Sequence, residues 1–180
     1  DWATTEGNTN TIYLTDTRYS IMAGYFDKDA RLFKCPADQY VSPVQRSFAW
    51  KERVRSVSQN VYAASNIGAT DSPPYAQVTK LTGLFNPRPS ETWVFVDEHP
   101  DSINDGAFFN AQRNLEWIDQ PSNQHNGACG FAFADGHSEI KRWTDARTKV
   151  SVKRANYNPG NQANNKDIQW LWDKTTQRLN

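Results

Sequence analysis

The sequence predicts an α+β domain that has an antiparallel β-sheet and a loop-rich surface. Residues 129–134 and 137–143 are two β-like runs joined by Asp135-Gly136, and an Asp-Gly pair between such runs is a strong β-hairpin signal. Residues 92–96 are short, β-branched and aromatic, as in a buried strand. We therefore expect the hairpin to lie beside this strand.

The composition bounds the classes of function. The chain has 180 residues with 20 Lys+Arg and 20 Asp+Glu, so its formal net charge is zero. This length suits one domain, 1–180, with a real core. Neutrality argues against nucleic acid or an anionic membrane as the main partner. The apolar runs are far shorter than the roughly 20 residues that span a bilayer, so we expect no membrane span.

Short elements are expected in the N-terminal half. They are a helix near 15–25, strand pieces over 32–35, 48–50 and 56–63, and a loop over 64–79. Thr15 or Asp16 is the expected N-cap of the helix. Because the chain begins at Asp1 rather than Met, we expect a processed or truncated form.

The hairpin register can be predicted from its turn. A two-residue type I′ turn pairs Ala134 with His137 and sets Phe131 opposite Ile140. One face, expected to be the core face, then holds Cys129, Phe131, Phe133 and Ile140. The other face holds Ala132, Ala134, His137, Glu139, Lys141 and Trp143.

The C-terminal part is expected to be a polar, Asn-rich tail over about 156–165, followed by a helix over 166–178. The apolar side chains that would dock this helix are Ile168, Trp170, Leu171 and Trp172.

Three segments together carry a family resemblance. They are Phe33-Lys34-Cys35-Pro36-Ala37-Asp38, the run from Phe95-Val96-Asp97-Glu98-His99 to Asp105-Gly106, and His125 followed after nine residues by Asp135-Gly136. In this order, over roughly 12–175, the chain resembles the prepilin-type proteins that carry the H-X9-DG processing-associated domain, which are relatives of type II secretion pseudopilins.

The resemblance implies a pilin-like fold, in which a long N-terminal helix packs on an antiparallel sheet. The short helix near 15–25 would be the remnant of that helix, and the anchor would be absent from this chain. It also implies a soluble extracytoplasmic head, in the periplasm or at the cell surface, that is membrane-anchored in the full-length form. The expected role is structural or interactive, with other pilin-like subunits or secretion components as partners. The residues expected to maintain the fold are Cys35, Cys129, His125, Asp135 and Gly136.

The two cysteines leave two alternatives. Cys35 and Cys129 are too few for a cysteine-rich fold or a four-thiolate zinc site. A disulfide between them would close a loop of about 95 residues, worth roughly 4–5 kcal/mol, and would need an oxidising compartment. The other possibility is a pair of free buried thiols.

The acidic loop after residue 96 is a candidate calcium site. Calcium takes six to eight oxygen ligands from flexible loops, and pseudopilins as a group hold calcium in a loop of the head. The candidate ligands are Asp97, Asp101, Asn104 and Asp105. The alternative is that these side chains cap turns by hydrogen bonds to the backbone.

The three histidines suggest a second metal hypothesis. If the strand at 92–96 neighbours the hairpin, His99 and His137 approach each other and, with Asp97 or Asp135, suit zinc or another transition metal. The alternative is that His125 orders its loop and the other two lie on the surface.

A carbohydrate-binding or glycoside-hydrolysing domain on the same scaffold is the alternative function. Glycosidases use paired carboxylates, for which Glu98 and Asp135 are candidates. Exposed Trp50, Trp117 and Trp143 would stack on sugars. No Gly-x-Ser-x-Gly motif supports nucleophilic hydrolysis, so catalysis is expected only in this alternative.

Overall fold

A five-stranded mixed sheet organises the fold, which is mixed α/β with few helices. The computed structural model describes residues 1–63, 75–110, 116–155, 157 and 161–177. The strands are β1 (Val57–Asn60), β2 (Trp93–Asp97), β3 (Ala107–Phe108), β4 (Ala128–Phe133) and β5 (Ser138–Arg142). Their order is β3-β1-β2-β4-β5. All neighbouring pairs are antiparallel except β1 and β3, which are parallel. The expected antiparallel layer is therefore present, with one parallel edge strand.

The helices are short. The α-helices are α1 (Ile12–Thr15), α2 (Pro43–Ser47) and α3 (Lys166–Asp173), and the 3₁₀ helices are Glu6–Asn8, Ala23–Tyr25, Ala30–Phe33, Leu81–Gly83 and Pro89–Glu91. Within the ranges described, no helix has the length and apolar character needed to cross a membrane. Parts of three expected elements lie outside the described residues, namely 64–74 of the loop, 156 and 158–160 of the polar tail, and 178 of the last helix.

The N-terminal expectations were mostly wrong, because local side-chain bonds compete with the expected elements. α1 ends at Thr15, since Asp16 accepts a hydrogen bond from the backbone N–H of Arg18 and turns the chain. The expected strand at 32–35 is preceded and partly replaced by a 3₁₀ helix capped by Asp29. Ala49 has a φ of 61°, so residues 48–50 are not extended. The piece at 56–63 is confirmed in part, as the shorter strand β1.

The hairpin is confirmed, but its register differs by one residue. The backbone N–H of Phe133 donates to the carbonyl of His137 (2.9 Å), and that of Gly136 donates to the carbonyl of Phe133 (3.0 Å). The turn therefore has three residues, with Gly136 in the left-handed region at φ 94°. As a result Ile140 pairs with Gly130, and Phe131 pairs with Glu139.

The shifted register changes which hairpin side chains reach the core. Cys129, Phe131 and Phe133 are buried as expected. Ile140 is 62% exposed, contrary to expectation, because it shares the outer face with Gly130. Trp143 was expected on the outer face but is buried, because the shifted register puts residues 139, 141 and 143 on the same face as Phe131.

Aromatic side chains build the core on the inner face of the sheet. Edge-to-face contacts join Phe131 to Trp93 (5.9 Å between ring centroids), to Trp143 (5.9 Å) and to Trp170 (5.2 Å). The expected terminal helix is confirmed as α3, which begins after an Asn165 cap and ends at Asp173. Its buried face is Ile168, Leu171 and Trp172.

We expect Gly136→Ala to destabilise the domain by about 1–2 kcal/mol, because a Cβ disfavours the left-handed conformation. Thermal unfolding measures this as a melting temperature lower by a few degrees. Gly106→Ala is the matched control, since Gly106 also has open space around it but no left-handed φ. Equal melting temperatures for the two variants would contradict the assigned turn.

Candidate functional site

An apolar groove crosses the outer face of the sheet, opposite the aromatic core. It has a volume of about 440 Å³ and lies between the segment 22–33 and the sheet. The floor is formed by Val57, Phe95, Gly130 and Ala132, and the wall by Met22, Tyr25, Phe26, Leu32 and Phe33. A second cavity of about 330 Å³ shares Met22 and Phe95 with it. Together the two cavities form one surface, here called the outer groove.

Large apolar side chains stand exposed along the outer groove. Tyr25 is 89% exposed and Leu32 is 61% exposed, and both line the first cavity. Ile140 is exposed on the strand beside Gly130. Scattered exposed apolar residues are ordinary, but a contiguous apolar surface marks an interaction site.

A cluster of three polar side chains lies at one end of the outer groove. Cys35 Sγ is 3.5 Å from His125 Nε2, and the same nitrogen is 3.3 Å from Asp97 Oδ2. Asp97 also lines the groove. Cys35 follows the 3₁₀ helix at 30–33, Asp97 ends β2, and His125 precedes β4. Distant parts of the sequence thus meet at this point.

Burial of the cluster favours the protonated forms of the Asp97 carboxyl and the Cys35 thiol. Burial raises the pKa of Asp97, although the adjacent His125 opposes that change. Burial also raises the pKa of the Cys35 thiol.

This cluster is not arranged as a nucleophilic triad. In a triad the base contacts the nucleophile through one ring nitrogen and the orienting carboxylate through the other. Here the Cys35 thiol and the Asp97 carboxylate both face Nε2 of His125. The raised pKa of Cys35 also disfavours a reactive thiolate. The groups present are instead those that ligate a transition metal.

The cysteine alternatives are decided by the structure. Cys35 and Cys129 are both buried free thiols, which is the second alternative, and no disulfide joins them. The Cys129 thiol donates to the backbone carbonyl of Asp97 (3.2 Å) on the core side of the sheet.

The expected calcium ligands Asp97, Asp101, Asn104 and Asp105 do not gather at one point. Among the described His, Cys, Asp and Glu residues, the metal-compatible group of three or more is the cluster above.

The remaining members of that set have other roles. Asp101 accepts hydrogen bonds from the backbone N–H groups of Lys153 (2.7 Å) and Arg154 (2.8 Å). Asp105 accepts one from the N–H two residues onward, and Asn104 lines a separate cavity. Asp105 therefore caps a turn, which was the alternative interpretation.

The predicted pairing of His99 with His137 is wrong. His99 is buried beyond the Asp97 end of β2, where its Nδ1 accepts from the N–H of Asp101 and its Nε2 faces the Val150 carbonyl (3.2 Å). His137 lies exposed directly after the hairpin turn, at the other end of β2, with its Nδ1 2.6 Å from Asp135 Oδ1. The length of the strand separates the two rings.

The residues expected to act on carbohydrate are also dispersed. Glu98 and Asp135 lie beyond opposite ends of the five-residue β2, roughly 17 Å apart along the strand. Glycosidase carboxylates are about 5–10 Å apart. Trp117 and Trp143 are fully buried, and Trp50 is half-buried. The expectation of exposed tryptophan platforms is therefore wrong for Trp117 and Trp143.

Sequence reasoning gave Cys35 and His125 only a structural role and placed Asp97 in a calcium loop. A signal for their meeting was present, because each of the three segments that carry the resemblance supplies one member of the cluster. No family model, curated protein or solved structure matches the chain. The relationship to pseudopilins thus stays a prediction from those segments.

We expect the protein to lose stability as pH rises between about 5 and 8. Glu98 is buried, and burial together with the nearby Asp119 raises its pKa above the ordinary 4.5. The folded state then holds a proton that the unfolded state releases, so each such proton lowers the free energy of unfolding by about 1.4 kcal/mol per pH unit.

Melting temperatures at pH 5.5 and 8 measure this effect. Glu98→Gln should flatten the decline, because an amide does not ionise and retains an acceptor for the hydroxyl of Ser58 or Ser102. Glu139→Gln, at an exposed position of the edge strand β5, is the control and should retain the decline. The same slope in wild type and Glu98→Gln would refute the assignment.

Proposed function

We propose that the chain is the head domain of a pseudopilin-like secretion or surface-assembly protein, with a structural or interaction role rather than a catalytic one. In this proposal the head works outside the cytoplasm, in the periplasm or at the cell surface. The apolar outer groove is the observation that carries the proposal. Exposed apolar surface of this kind is unfavourable in water and is covered when a partner binds.

The proposed occupant is an apolar α-helix from a pilin-like subunit. The groove lies on the face of the sheet, and sheet faces are covered by helices or by other sheets, whereas added strands bind at sheet edges. Its lining is almost uncharged, with Asp97 and Lys80 as the charged members of the two cavities. An apolar helical stripe fits such a surface. The resemblance also implies a helix packed on the sheet, although there the helix is the domain's own N-terminal one.

The carbohydrate alternative has no comparable support. Its carboxylates lie at opposite ends of β2, and two of its three tryptophans are core residues.

We expect the domain to bind a synthetic, fluorescently labelled helical peptide with a Leu/Phe stripe, measured by fluorescence anisotropy. Tyr25→Asp and Leu32→Asp should each weaken binding at least about tenfold, because a charge would be desolvated in the interface. Both side chains are exposed, so these changes should leave the fold intact.

Phe48→Asp is the matched control, because Phe48 is 62% exposed and is not among the residues that line the two cavities. It should change the dissociation constant by less than about twofold. A scrambled peptide of the same composition that binds equally well would contradict the proposal. So would equal losses for Tyr25→Asp and Phe48→Asp.

A further inference from the structure

We propose that Cys35, Asp97 and His125 bind one Zn²⁺ ion. The site is independent of the proposed function, because it rests on the geometry of these three side chains. It also differs from the calcium and two-histidine sites expected from the sequence.

Two of the three distances between the ligand atoms, both from His125 Nε2, match those around a tetrahedral zinc ion. Zinc bonds of roughly 2.3 Å to sulfur, 2.05 Å to nitrogen and 2.1 Å to oxygen imply separations of roughly 3.6 Å for S···N and 3.4 Å for N···O. The observed separations are 3.5 Å between Cys35 Sγ and His125 Nε2, and 3.3 Å between His125 Nε2 and Asp97 Oδ2. All three ligand atoms lie within 4.8 Å of one another.

Hydrogen bonds alone cannot satisfy both partners of the His125 Nε2 atom. Nε2 of His125 carries either one hydrogen or one lone pair, yet it faces both the thiol and the carboxylate. A metal ion uses all three donor atoms at once. The metal–ligand bonds then offset the free-energy cost of bringing these three partly buried polar groups together.

The ligand types select the class of metal. A thiolate with an imidazole suits Zn²⁺ and disfavours Ca²⁺ and Mg²⁺, which prefer oxygen ligands. On binding, the Cys35 thiol releases its proton to solvent, and the thiolate and the Asp97 carboxylate balance the charge of the ion. His125 is partly exposed, so a water molecule can reach the fourth position.

Gly130 is independent evidence that the backbone of β4 leaves space for the Asp97 carboxylate. A Cβ at this position, in the middle of β4, would lie 2.8 Å from Asp97 Oδ2. Glycine usually weakens a strand interior, and there it often marks a close approach by another group. The approaching group here is the Asp97 carboxylate.

Cobalt titration of the whole reduced chain tests the proposal. Co²⁺ should bind at one equivalent and give a near-ultraviolet thiolate-to-cobalt charge-transfer band, which Zn²⁺ then abolishes. Zn²⁺ should also raise the melting temperature of the domain. Peptide binding measured in a chelator tests the proposed function separately, so either proposal can fail alone.

Variants assign the ligands. His125→Ala should weaken Zn²⁺ binding by at least about 100-fold, and Gly130→Ala should weaken it by displacing Asp97. Cys35→Ser should remove the charge-transfer band. His137→Ala and Cys129→Ala, which change the exposed histidine and the other thiol, should bind like wild type.

Three results would overturn the proposal. They are the absence of the charge-transfer band from wild type, a band that survives in Cys35→Ser, and an unchanged Zn²⁺ affinity in His125→Ala. Because His125 and His137 are both partly exposed, their alanine variants should fold equally well and remain comparable.

Discussion

The alternation of large and small side chains along β4 is the constraint on which the rest of this structure depends. Phe131 and Phe133 point into the core, while Gly130 and Ala132 point to the outer face. A side chain at Gly130 would collide with the carboxylate of Asp97. One strand therefore fixes the aromatic core on one side and leaves room on the other side for the outer groove and the polar cluster.

The inner face of the sheet is stabilised by aromatic packing, whereas polar contacts stabilise the chain directly after the wall of the outer groove. The backbone N–H of Cys35 donates to Ser56 Oγ (2.6 Å), next to β1. Arg53 and Asp38 form a buried ion pair (3.1 Å) a few residues away. Removing one partner of such a pair leaves an uncompensated buried charge, which is costly. The backbone N–H of Ser56 also donates to the carbonyl of Phe33 (2.8 Å), so these contacts fix the C-terminal end of the segment 22–33.

The elements that the sequence predicts well are those set by local patterns. β2, the hairpin and α3 follow from β-branched runs, an Asp-Gly turn and a terminal apolar stripe. The register could not be predicted, because Asp135-Gly136 suits both a two-residue and a three-residue turn, and the backbone of Phe133 and His137 decides between them. That one-residue difference moved Ile140 from the core to the surface.

The site was less predictable because its members meet only through tertiary structure. The Asp97 carboxylate had many possible partners in an acid-rich loop, and nothing local distinguished His125 from the other histidines. Cys35 comes close to Asp97 and His125 only because the segment before it, which forms no strand, lies over the sheet. The three segments that carry the family resemblance did indicate the site, since each contributes one side chain to it. Cys35, Asp97 and His125 belong to that set of segments but to no common secondary-structure element, and they are therefore best tested together as one site.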